Sequence, residues 1–355
     1  MSSENRNRFE QAINVISTRI KLILLQLSEQ QTDNIQEIRL RTNKPVIIVN
    51  EKGCSFLTDK GKLTKIYNEN CVKTSPQEIT DTLNRACNYS IHSFQQSINN
   101  GFITIAGGHR IGVAGTAIAF DDESFNVKDI GFLNIRVSRQ VFGVSERICH
   151  YLFQNNVKNI IIAGPPSSGK TTFLRDFAYR ISSGFTGEYI KTVVLDERGE
   201  FSAPYLGVIQ NDLGLNTDVL INYKKSHGVE LALRSLSPEY IIFDEICNET
   251  DLSAVKNGLN SGVKFAVSVH CGNENDLKNK MIVNELIKTD EFHYIILLSG
   301  VPHPCSIKNI FRIEVKGNET IWTDINNSLF GFDGNERTEP NEEKNYNSSS
   351  ISSIA

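Results

Sequence analysis

Residues 157–171 read VKNIIIAGPPSSGKT. An apolar, β-branched run ends in glycine, and Gly164-Pro165-Pro166-Ser167-Ser168-Gly169-Lys170-Thr171 then matches G-x-x-x-x-G-K-[ST] in full. A helical stretch, TTFLRDFAYRIS, follows directly. Strand, glycine-rich loop and helix in that order form a phosphate-binding loop. The glycines let the backbone wrap phosphate oxygens with its N–H groups pointing inward. Lys170 is expected to supply charge at the β- and γ-phosphates, and Thr171 a hydroxyl to Mg²⁺. The candidate nucleotide-binding set is Gly164, Pro165, Pro166, Ser167, Ser168, Gly169, Lys170, Thr171 and the following Thr172, with ATP and Mg²⁺ as the expected ligands.

Outward from this loop, apolar strands recur: YIKTVVLD, YIIFDE, KFAVSVH, FHYIILLSG and IKNIFRIEV. Helical stretches separate several of them, a pattern that predicts a mostly parallel sheet covered on both faces. Before residue 145 the texture differs. One helix is expected from Phe9 through FEQAINVISTRIKLILLQLSEQ and another from Pro76, PQEITDTLNRACNYSIHSFQQSINN, ended by Gly101. IQEIRLRTN, PVIIVN and GFLNIRVSR read as strands, and FITIAGGHRIGVAGTAIAF as a hairpin with close backbone packing. The expected fold class is therefore α/β. A RecA-like P-loop NTPase core domain would span 145–330, a smaller α+β amino-terminal domain 1–144, and a polar, serine-rich disordered tail 331–355.

The chain has 355 residues and a net charge of −4, which gives it no global pull toward nucleic acid; none is expected as a partner. No apolar run approaches the ~20 residues of a membrane span, and the polar start MSSENRNRFEQ is unlike a secretory signal. Seven cysteines are scattered without a C-x-x-C pair, the pattern of reduced cysteines in a cytoplasmic protein.

Two acidic pairs sit at strand ends and compete for the general-base role: Asp196/Glu197 in the box DERGE, and Asp244/Glu245 after YIIF. Asp244 is a candidate to hold Mg²⁺ together with Thr171. His270 ends KFAVSVH, at the ligand edge of such a sheet, where it could sense the γ-phosphate. Gly107-Gly108-His109-Arg110 lacks a strand–loop–helix context and reads as a tight hairpin at the domain interface, with Arg110 a candidate nucleotide contact from the other domain.

Several segments together resemble one family. GPPSSGKTTFLRD, VLDERGEF, TDVL, LRSLSPEYIIFDEI and SVHCG, with EIRLRTNKPVII, INNGFITIAGGHRIGVAG and NIRVSR in the front half, are similar to the stage III sporulation protein AA family, ATPases of endospore formers related to type II and type IV secretion ATPases. The likeness runs over about residues 35–275. It implies that Asp196–Glu200 is an acidic box and that Glu245, rather than Asp244, is the essential acid of the second nucleotide motif. It also implies that His270 belongs to a histidine box, and that Arg234 is the arginine before the proline-acid pair Pro238-Glu239. Arg136 and Arg139 fall where such ATPases carry arginines that reach an active site across a domain or subunit boundary. The family implies an oligomeric ATPase, with a hexamer as one candidate, in the mother cell. There it would contact membrane-embedded sporulation channel proteins peripherally and energise a channel between mother cell and forespore. Two positions depart from the pattern: Asn216 stands where arginine precedes Thr-Asp-Val, and Cys247-Asn248 stand where Gly-Arg follows the second motif. Those losses leave open a weakly hydrolysing, nucleotide-gated scaffold, and a nucleic-acid-dependent NTPase is the other alternative.

Overall fold

The computed structural model describes residues 2–119, 125–152, 157–317 and 319–326. The tail expected over 331–355 lies outside them, as do the last four residues of the stretch SERICHYLFQNN.

The front of the chain builds a seven-stranded antiparallel sheet. Its strands are β1 (Ile35–Arg41), β2 (Ile47–Asn50), β3 (Gly53–Leu57), β4 (Leu63–Thr64), β5 (Phe102–Ile105), β6 (His109–Ala119) and β7 (Phe125–Arg136), in the spatial order β4-β3-β2-β1-β7-β6-β5. Period-2 alternation in β1 turns Ile38 and Leu40 inward, and the register shift between Ile35 and Glu37 brings Ile35 into the same core. The helix expected from Phe9 is broken into Ser2–Ile13, Thr18–Leu24 and Glu29–Thr32. The break lets Ile13, Ile16, Ile20 and Leu24 all reach the core, and the Ser17 amide at the bend donates to Thr82 Oγ1 at 3.1 Å. The second helix starts as read, with Ser75 and Glu78 forming a reciprocal capping box before Pro76. It stops at Ala86, because Asn88 and Tyr89 both take left-handed φ.

The remainder forms an eight-stranded sheet. β8 (Asn159–Gly164), β9 (Thr192–Asp196), β10 (Thr217–Ile221), β11 (Tyr240–Phe243), β12 (Lys264–His270), β13 (Phe292–Leu298), β14 (Ile307–Lys316) and β15 (Glu319–Asp324) lie in the order β10-β9-β11-β12-β8-β13-β14-β15. Pairing is parallel from β10 to β13 and antiparallel at β14 and β15. β8, β9 and β11 are buried at every residue, which is why they read as unbroken apolar runs. Helices pack on both faces, and two apolar clusters, one per face, form this core. It is the α/β, RecA-like arrangement expected. β9 does not lie beside the phosphate-loop strand β8; β11 and β12 stand between them. Asp196–Glu200 therefore approaches the loop through the turn after β9.

Two buried polar groups stand out, one at the join between front sheet and core and one within the front region itself. Asp176, on the phosphate-loop helix Lys170–Ser182, has no exposed surface. Its carboxylate accepts from the amides of Gly143 (2.9 Å) and Ser145 (2.7 Å), the Ser145 hydroxyl (2.6 Å) and Arg180 Nε (3.3 Å). The other is His109, also fully buried, whose Nδ1 accepts from the Ser138 amide at 2.9 Å. The glycines before it make a tight turn clasped by the core. The Gly107 amide donates to Gln210 Oε1 at 2.7 Å, and a Cβ on Gly108 would lie 3.0 Å from Ala203 Cβ and 3.2 Å from Gln210 Cβ. The hairpin reading of Gly107–Arg110 thus holds.

Burial, with the nearby charges of Arg8 and Arg139, holds the His109 imidazole down at about 4 against an ordinary value of 6.5. The unfolded chain then binds the proton first as pH falls below 6.5, so this group's stabilising effect is full above that pH and lost progressively toward 4. Its full span is roughly 3 kcal/mol. Urea unfolding at pH 7 and pH 5 should show a drop in stability that is clearly smaller in His109→Gln; an equal drop in both proteins excludes this origin.

Candidate functional site

The parallel register sets the site. His270 at the end of β12 pairs with Gly164 at the end of β8, and Phe243 at the end of β11 pairs with Val267. Three strand ends therefore deliver the phosphate loop, Asp244-Glu245 and His270 to one edge, outside the carboxyl ends of the strands.

The loop itself is shaped by left-handed backbone at Ser167 (φ 60) and Gly169 (φ 90). At Gly169 no side chain fits, since a Cβ would stand 2.8 Å from the Cys305 amide nitrogen. Cys305, in the segment between β13 and β14, closes over the loop by donating its amide to Ser168 O at 2.7 Å. The helix begins at once, and its first intrahelical acceptor is Gly169 O, taken by the Phe173 amide at 2.8 Å. The first-turn amides have no intrahelical acceptor of their own, which makes this end a natural anion site.

Lys170 is 5% exposed, and its Nζ donates to Gly164 O (3.0 Å) and Pro165 O (2.9 Å) and lies 3.0 Å from His270 Nδ1. Burial pushes its ammonium down from the lysine range, opposed chiefly by the Asp244 carboxylate. The Thr171 hydroxyl donates to one oxygen of Asp244 and the Ser268 hydroxyl to the other. The Glu245 amide donates to the same Ser268 Oγ at 2.9 Å, and Glu245 takes a left-handed φ of 56°. Such a conformation in a residue other than glycine is costly and concentrates at functional sites. The Glu245 carboxylate lies 3.7 Å from His270 Nε2 and 3.6 Å from Arg198.

These groups border a cavity of about 500 Å³ whose walls include Thr172, Arg198, Glu200, Asp244, Glu245 and His270. Pro166, Ser167, Gly169, Lys170 and Thr171 form its floor, and Val141 and Pro304 flank it. The donor set fits a nucleotide phosphate with Mg²⁺: free helix-end amides, an ammonium, and a hydroxyl already paired with a carboxylate.

The candidate residues do not all converge. Glu197 is 3.0 Å from Lys225 and does not line the phosphate-loop cavity; it borders an adjoining pocket of about 40 Å³ that shares Arg198, Glu200, Asp244 and Glu245 with that cavity. Asp196 is buried and folds the box: its carboxylate accepts from the amides of Glu200, Phe201 and Ser202 and from the Ser202 hydroxyl. Arg136 lines a second cavity, of about 320 Å³, with Arg110, Arg175, Glu200 and Thr171, and pairs with Glu37 at 3.1 Å. Arg139 points elsewhere. Its guanidinium donates to Ile35 O (2.7 Å), Thr32 O (3.2 Å) and Asn5 Oδ1 (3.1 Å) within the front domain, and burial lowers its pKa. Of the two arginines, Arg136 is the one that borders a cavity reaching Thr171 within one chain.

The departures from the family pattern line neither cavity, although Cys247 and Asn248 follow Glu245 within three residues. Asn216 precedes β10 at the opposite edge of the sheet and donates to Tyr189 O at 2.8 Å. Asn248 caps the helix Glu249–Asn260 by accepting from the Asp251 amide. Arg234 is exposed and Cys247 borders neither cavity. Sequence reading missed Ser268, Arg175 and Cys305. A serine inside KFAVSVH and a charged pair inside FLRDFAY are the signals that mark the first two.

A family model described as "Sporulation stage III, protein AA" matches residues 6–319. The chain is 33% identical over 298 residues to the stage III sporulation protein AA of Bacillus subtilis (strain 168), covering 84% of this chain and 93% of that protein. Among solved structures it is similar to the ATPase DotB of Legionella pneumophila, at 14% identity and a TM-score of 0.46, covering 87% of this chain and 81% of that one. It is also similar to the pilus retraction motor PilT with bound ADP, at 12% identity and a TM-score of 0.48, covering 82% and 78%.

Separate alanine substitutions should resolve the arginines. Arg139→Ala leaves two carbonyls without their donor and should cost about 2 kcal/mol. Arg136→Ala, at an exposed ion pair, should stay within about 0.5 kcal/mol of the parent protein while lowering ATP turnover. Denaturation and steady-state rates on the two proteins test this, and equal stability would reverse the assignment of Arg139.

Proposed function

The chain belongs to the stage III sporulation protein AA family, and on that premise we propose that it is an ATP-hydrolysing motor of secretion-ATPase type. It would work as a homo-oligomer against a membrane-embedded sporulation channel, from the cytoplasmic face and in the mother cell. No helix among the described residues is long and apolar enough to cross a membrane, which is compatible with a peripheral attachment.

One observation carries the reading: Thr171, at the start of the phosphate-loop helix, hydrogen-bonds Asp244, and Glu245 stands beside that pair on the same cavity. The phosphate loop would hold the β- and γ-phosphates by its amides and Lys170, which must turn from the Gly164 and Pro165 carbonyls to do so. Thr171 and Asp244 would hold Mg²⁺, whose charge offsets that of the phosphates. Glu245, with its carboxylate open to the cavity, is the residue we assign to orient the attacking water and accept its proton. His270 lies between Lys170 and Glu245 and is suited to register the γ-phosphate. Glu197, engaged with Lys225, is a poorer base. Arg136 would approach the phosphates from the front domain, in this chain or a neighbour, where a planar, permanently charged donor suits phosphate oxygens.

Lys170→Ala should weaken nucleotide binding or turnover by about tenfold or more. Glu245→Gln should keep ATP binding and nearly stop hydrolysis, while Glu197→Gln should do less. Nucleotide titration and phosphate release on the purified proteins decide this. A more damaging Glu197→Gln would move the base to the acidic box, and unchanged behaviour of Lys170→Ala would remove the ATPase reading.

A further inference from the structure

The turn Glu197–Ser202 is gripped from three directions. Its amides at 200, 201 and 202 are taken by the buried Asp196 carboxylate, at 2.8, 3.1 and 2.8 Å. Its carbonyls are taken by arginines. Arg175 donates from Nε to Phe201 O at 3.1 Å and from Nη2 to Glu200 O at 2.6 Å. Arg110, from strand β6 of the front domain, donates to Gly199 O at 3.4 Å. The turn presents Arg198 and Glu200 to the phosphate-loop cavity, and Glu200 also lines the cavity it shares with Arg110 and Arg136.

Arg175 stands five residues after Lys170, on the helix whose first turn closes the phosphate loop. Its hydrogen-bond acceptors are neutral carbonyls. The side chain is half-buried with the Asp196 and Glu200 carboxylates near it, yet these hydrogen bonds go to main-chain oxygens of the turn. What the charge and its planar fork add is a fixed two-point hold on one turn. We propose that Arg175 is a positioning residue that ties the acidic-box turn to the phosphate-loop helix, so that Glu200 and Arg198 are set against the γ-phosphate end of the site. Through Arg110 the same turn is held by the front domain, so the turn is the element on which nucleotide and domain position meet. This rests on the ATPase reading for its catalytic consequence, and on the geometry alone for its mechanical one.

The test uses the full-length protein and Arg175→Gln, Arg175→Lys, Glu200→Gln and the Arg175→Gln/Glu200→Gln double variant. ADP affinity, kcat and KM for ATP, and amide hydrogen exchange across 196–202 with and without ADP are measured. Arg175→Gln is expected to lower kcat about tenfold with KM and ADP affinity within about threefold of the parent, and Arg175→Lys to recover part of the loss. The double variant should lose clearly less than the product of the two single losses, since Arg175 acts in part through Glu200. ADP should slow exchange at 196–202 in the parent and not in Arg175→Gln. Parent-like kcat, losses that multiply in the double variant, or ADP affinity falling in step with kcat would each overturn the proposal. If Arg175→Gln does not fold, Arg175→Lys carries the same measurements, and failure of both to fold makes the role structural. A parent protein that binds ADP without turning over ATP defeats the ATPase reading alone, and the exchange result then decides the coupling.

Discussion

The buried carboxylate of Asp176 is the interaction on which the arrangement turns. It sits on the phosphate-loop helix, and its oxygens receive the amides of Gly143 and Ser145, the segment by which the chain passes from front sheet to core. A fully buried charge with one partner would be a liability. With three neutral donors and Arg180 beside it, the group is satisfied in place, and removing it would strand several polar groups at once. Because Arg175 and Asp176 are consecutive, one turn of one helix holds the acidic box on one side and the connecting segment on the other. The phosphate loop is therefore an end of a rod whose shaft is fastened to both.

Much of the core was legible in the sequence because its strands are buried on both faces. Burial of that kind leaves apolar runs such as NIIIAG and TVVLD, and the loop between strand and helix carries its chemistry in consecutive residues. Lys170, Thr171, Asp244 and His270 could be placed from strand ends alone, since a parallel sheet brings those ends to one edge. The lateral order of strands could not be read, because nothing in Thr192–Asp196 records that two strands separate it from β8.

The front domain was harder, for a physical reason. Helical periodicity from Phe9 to Leu27 is real, yet Ser17 bends the chain so that successive turns reach the same core. The fate of Arg139 was also hidden. An arginine at a strand's end looks the same in sequence whether its fork meets phosphate or the carbonyls of Ile35 and Thr32. Ser268 was masked by its setting, since a small hydroxyl in an apolar strand reads as tolerated filler until Asp244 is placed opposite.

The position of β8 has a consequence for synthesis. Its two neighbours are β12, about a hundred residues downstream, and β13, further still. The front sheet, by contrast, closes once β7 has emerged to pair with β1 and β6. On the ribosome the amino-terminal unit can condense early, while the finished phosphate-loop sequence waits with both edges of its strand unpaired. Nucleotide cannot find its cradle until nearly the whole polypeptide is out, and during that interval an apolar strand must be kept from joining other chains.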